Sequence, residues 1–147
     1  MATEIEQQCE TIEACYEFTL SYAARGLTGD DGGDAGRQLR EHLTCAVGAM
    51  RGLERSCAQA IEQERLAPAE KYEAFFAVLT RDAESAIAAV ELVLAQPTIG
   101  SQLIDNLNAS IHLRALLADL FLVAEILDAQ QTQAKAAAAT DGIAGSR

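Results

Sequence analysis

The chain has 147 residues, enough for one domain with a core of its own. Its 22 acidic and 11 basic residues leave a formal net charge of -11. No Lys/Arg cluster reverses that sign locally, which argues against nucleic acid and anionic lipid as partners and favours a basic protein or a cation. No apolar run reaches the roughly 20 residues needed to span a bilayer, so no membrane partner is expected. The opening MATEIEQQCE is acidic and polar, unlike a secretory leader. Four cysteines in such a chain read as reduced thiols in the cytoplasm.

The first helical segment is expected over residues 3 to 26. Ile5, Cys9, Ile12, Tyr16, Thr19 and Ala23 recur every three or four residues, which places them on one helix face. GDDGGDAG follows as a loop, with Asp34 placed to cap the next segment. That second segment runs to about Arg65 on Leu39, Leu43, Ala46, Met50, Leu53, Cys57 and Ala60. Gly48 and Gly52 flank Met50 and would let a neighbouring helix approach closely. Pro68 suits the first turn of the third segment. Tyr72, Phe75, Phe76, Leu79, Ala83, Ile87, Val90 and Leu94 line its face, and Pro97 ends it. The fourth segment runs from Ile99 or Gly100 to about Lys135.

Four long amphipathic segments with short links predict an all-α, antiparallel, up-down-up-down four-helix bundle. The bundle covers residues 1–137, with a frayed C-terminal tail at 138–147. Hairpins exchanged between subunits, or a three-helix core with the last segment docked elsewhere, fit the same pattern.

The fourth segment carries more apolar surface than one stripe needs. LRALLADLFLVAEIL distributes leucines, Phe121, Val123 and Ile126 around much of its circumference. Large exposed apolar patches mark contact surfaces. Leu113, Leu116, Leu120, Phe121, Val123 and Leu127 are therefore candidate interface residues, with a homo-oligomer, a dimer first of all, or another protein as partner.

REHLTC brings His42 within one turn of Cys45. Cys15 and Cys45 fall at similar depth from the first loop, as do Glu84 and His112 from the last turn. An inward rotation of all four segments would gather Cys15, His42, Cys45, Glu84 and His112 into one polar layer. Its sulfur and nitrogen donors suit zinc or copper, and its carboxylate suits iron. Cys9 and Cys57 sit on core stripes and read as small hydrophobes.

Other chemistries lack their patterns. A di-iron bundle wants Glu-x-x-His on two helices, and the sequence has none. Asp30, Asp34 and Glu41 fit positions one, five and twelve of a calcium loop, but Gly32 and Ala35 replace a ligand and the turn glycine. No nucleophile–base–acid set is specified, and GDDGGDAG lacks the lysine of a phosphate loop. The leading reading is a small helical protein that works by association, as an adaptor, a chaperone-like binder or an assembly factor. A metal- or small-ligand-binding bundle and a structural homo-oligomer are the alternatives.

Overall fold

The computed structural model describes residues 3–30 and 33–145, with side chains described as far as residue 140. The described residues form six helices: α1 (Glu4–Ala24), α2 (Asp34–Arg51), α3 (Leu53–Gln63), α4 (Ala69–Leu94), α5 (Ser101–Ala109) and α6 (His112–Gly145). This corrects the four-helix bundle. The all-α class stands, but two of the four expected segments are broken, each for a local reason. No described helix is long and apolar enough to cross a membrane.

The second segment breaks at Gly52. The Gly52 amide donates to the carbonyl of Ala49 at 3.2 Å, three residues back, so a tightened turn interrupts the α-helical ladder. The side chain of Gln8 from α1 fills the space beside it; a Cβ on Gly52 would lie 2.6 Å from Gln8 Nε2. The fourth segment breaks at Ser110 and Ile111. The Ser110 hydroxyl donates to the carbonyl of Leu107 at 2.5 Å. Ile111 then takes a φ of 65°, a left-handed conformation that costs a β-branched residue energy. Its carbonyl accepts the amide of Ala115 at 2.7 Å as α6 begins.

α1 opens on a capping box. The Glu6 amide donates to the Thr3 hydroxyl at 3.1 Å, and the Thr3 amide donates to the Glu6 carboxylate at 3.1 Å. Asp34, expected as a cap, is instead the first residue of α2 and pairs with Arg37 at 2.7 Å; Gly33 is the cap. Pro68 immediately precedes α4, close to its expected place. α6 stays helical to Gly145, across the expected 137/138 boundary.

Antiparallel register follows from named pairs. Across α1 and α2, Gln8 meets Gly52 and Phe18 stacks on His42. Across α4 and α6, Tyr72 meets Gln130 in a hydrogen bond donated by the Gln130 amide, and Asp82 meets Asp119. The core between them is aliphatic. Ile12, Leu39, Leu43, Leu53, Leu79, Ile104 and Leu116 are fully buried. Burying each such side chain contributes about 1.5–3 kcal/mol before entropy is counted.

One end is fastened by polar groups. Arg40 Nε donates to Asp30 Oδ2 at 2.5 Å, and its other nitrogens donate to the carbonyls of Leu94 and Gln96 at 3.2 and 3.1 Å. It thereby satisfies carbonyls left open where α4 ends. Asp30 Oδ1 also accepts the Ile99 amide at 2.7 Å. The Tyr22 hydroxyl donates to the Ile99 carbonyl at 2.7 Å, and the Ser101 hydroxyl donates to the Tyr22 carbonyl at 2.6 Å. The first loop and the α4–α5 link are thus joined by hydrogen bonds that apolar packing alone would not specify.

Candidate functional site

The five residues of the expected polar layer take different environments. Cys15 is fully buried in α1. His42 is half-buried and occupied by Phe18, ring centroids 4.6 Å apart and 23° from parallel. Cys45, Glu84 and His112 are exposed, on α2, α4 and the first turn of α6 respectively. Only the two cysteines are brought together: they lie level in the α1–α2 register, and burial followed by the nearby Cys45 sulfur pushes the Cys15 thiol up to about 12. Among the described residues, no three His, Cys, Asp or Glu side chains converge to hold zinc, copper or iron. Burial likewise pushes Cys57 up to about 12 and, with Glu13, Glu10 and Glu6 nearby, Cys9 to about 11. Such thiols are inert as nucleophiles at neutral pH.

Two of the three carboxylates at calcium-loop spacing are spent on arginines. Asp30 turns inward to Arg40, whose hydrogen bond holds the carboxyl below its usual range, and Asp34 pairs with Arg37. Gly32, the expected position three, lies outside the described residues.

α6 shows how its surplus of apolar side chains is divided. Leu113, Leu116, Leu120, Val123 and Leu127 are buried in this chain's own core. Phe121, the sixth interface candidate, is 47% exposed, and Leu122 at 50% and Ile126 at 38% stand beside it. Ile111 is half exposed at the head of the same helix. These residues are on the side of α6 turned away from the core.

Two hollows flank that ridge. Between α1 and α6, Tyr16, Leu20, Leu117, Ala118 and Phe121 line a cleft of about 440 Å³, edged by Glu13, Glu17 and Arg114. Between α4 and α6, Pro68, Tyr72, Phe75, Leu122 and Ile126 line a groove of about 290 Å³ with Lys71 at its margin. Ridge and hollows form an apolar surface edged by Glu13, Glu17, Lys71, Arg114 and Glu125.

Sequence reasoning missed Leu122 and Ile126 as surface residues, because a helix that is apolar all round gives no phase by which to sort them. It also missed Asp82. This residue faces Asp119 across the α4–α6 seam, and Asp119 Oδ2 is buried without a partner among the described residues. Burial, then the Asp82 hydrogen bond and charge, push Asp119 up to about 7. A proton on Asp119 would give this seam the donor it lacks.

What the fold and surface define is a small all-α domain with an exposed apolar helix face. Compared with known proteins, the chain matches no family model, no curated protein and no solved structure.

Proposed function

We propose that the chain works by protein association, as an adaptor, chaperone-like binder or assembly factor, and that the outer face of α6 is its contact surface. The observation that carries this reading is the run of Phe121, Leu122 and Ile126, each more than a third exposed, between two apolar hollows. Burying that ridge against a partner removes apolar area from water at about 25 cal/mol per Å² before association costs. Aromatic residues at the centre of such a patch are the ones whose loss weakens binding most.

The test is a capture experiment with the full chain and a Phe121→Ser, Leu122→Ser double variant, each first checked for an unchanged melting curve. Proteins that bind the native surface and are lost from the variant support the reading. A set of bound proteins identical for both would mean that α6 is not the contact surface.

A further inference from the structure

From the outer face of α6 we infer that its occupant is a second copy of this chain, paired antiparallel along α6. This rests on the association reading above and names the partner for the Phe121 side of that face. The exposed positions Arg114, Ala118, Phe121, Glu125 and Asp128 of α6 recur at alternating four- and three-residue steps, the spacing of a helix-pairing seam. Reversing this strip about the midpoint between Ala118 and Phe121 brings unlike groups together. Phe121 falls opposite Ala118 of the partner subunit, so a large side chain meets a small one. Arg114 falls opposite Glu125 of the partner subunit, so a cation meets an anion. A two-fold axis repeats each pair, as an isologous interface requires.

The charge pattern favours this occupant over an unrelated basic helix. On a chain of net charge -11, the middle of the strip holds one arginine and one glutamate. A uniformly basic partner would satisfy Glu125 and oppose Arg114; a reversed copy satisfies both. The apolar part is also self-complementary, because the Phe121 ridge and the α1–α6 cleft beside it lie on the same patch.

α6 also outruns the chain that it packs against. Gln130 bonds to Tyr72 and Gln131 donates to Glu64, but residues 132–140 are exposed on every side. An alanine-rich helix of that size has little stability alone in water. With Phe121 opposite Ala118, the paired stretch of the two helices ends at His112 and Leu127, so residues 132–140 run past it.

Sedimentation equilibrium on the full chain at about 100 µM, a concentration suited to a small interface, tests the pairing. The wild type is expected to have a two-chain mass. Arg114→Glu and Glu125→Arg should each weaken pairing about ten-fold or more, since each places like charges together twice. The double variant should return to within about three-fold of wild type, because the pair is restored in reverse. An equimolar mixture of the two single variants should pair better than either alone. A wild type that stays monomeric overturns the second copy and leaves the capture experiment to decide the association reading. A two-chain mass indifferent to both reversals and to Phe121→Ser overturns the inference and, with it, this face as the contact surface. A double variant as weak as the single ones overturns the register.

Discussion

The Arg40 end of the molecule and the outer face of α6 are built on opposite terms. Around Arg40, donors and acceptors are matched within the chain: Asp30, Leu94, Gln96, Ile99, Tyr22 and Ser101 all spend their polar groups on one another. On α6, Phe121 and Leu122 leave about half of their surface in water. Polar groups paired within the chain serve the fold. A region that leaves apolar surface uncovered in a folded chain is available for something else. Substitutions at the first should therefore act on stability, and those at the second on association.

The largest effect is expected at Gly36. A Cβ there would lie 2.4 Å from Asp30 Cβ and 2.7 Å from the Asp30 carbonyl oxygen, so the Asp30 backbone would have to move. Moving it also displaces the carboxylate from Arg40 and Ile99. Gly36→Ala should lower unfolding stability by about 3 kcal/mol, read by urea denaturation. A change under about 0.5 kcal/mol would show that the Arg40 end is looser than its hydrogen bonds imply.

Asp30→Ala removes the acceptor without crowding and should cost about 2 kcal/mol. The pH dependence supplies its signature. Arg40 holds the Asp30 carboxyl below its usual value, so the unfolded chain takes up the proton first as pH falls. The contribution is present above the ordinary carboxylate range and is lost as pH drops through the folded value. Acid unfolding should be less steep in the variant than in the wild type.

Much of this contrast was legible from residue spacing, but not its decisive parts. Periodicity located the helical faces, because helices pack by burying every third or fourth residue. Leu39, Leu43 and Met50 are buried as their spacing demands. Periodicity did not reveal the breaks, because Gly52 keeps right-handed angles, while Ile111 is a residue that its own sterics disfavour in left-handed turns. The Thr3–Glu6 capping box was readable from the Thr-x-x-Glu spacing. The role of Arg40 was not, since the carbonyls it binds lie more than fifty residues along the chain and carry no side-chain signal. The five-residue polar layer was inferred from depth along the helices, which fixes level but not direction. Cys15 and Cys45 are level as that argument requires, yet Glu84 and His112 face outward.

Asp119 sharpens the comparison, because it is a polar residue on the apolar helix. Its carboxyl is raised to about 7 by burial and by Asp82, above the unfolded value of 3.8. Its contribution is therefore fully present below about pH 4 and lost as pH rises through 7, the reverse of Asp30. Asp119→Asn keeps a hydrogen-bond donor and removes the titration. At pH 8 it should be more stable than wild type by about 1 kcal/mol, a figure reduced for solvent screening, and at pH 5 nearly equal. Thermal melts at the two pH values check this. A difference independent of pH would mean that Asp119 does not hold that proton in the folded chain.

The smallest expected effect on folding is at Phe121. Its neighbour Leu120 is fully buried and holds α6 to the core, whereas Phe121 is 47% exposed and shares its cleft with Tyr16 and Leu20. Phe121→Ser forfeits only partial contacts and should change stability by less than about 0.5 kcal/mol in dilute protein, where a weak pair has dissociated. Melting at two concentrations then separates the roles. If α6 pairs with a second copy, the wild type melts higher when concentrated and the variant does not, because only binding to the folded state makes the midpoint depend on concentration. A large loss of stability in dilute protein would instead assign Phe121 to the fold, and the contrast between the two regions would fail at its most exposed residue.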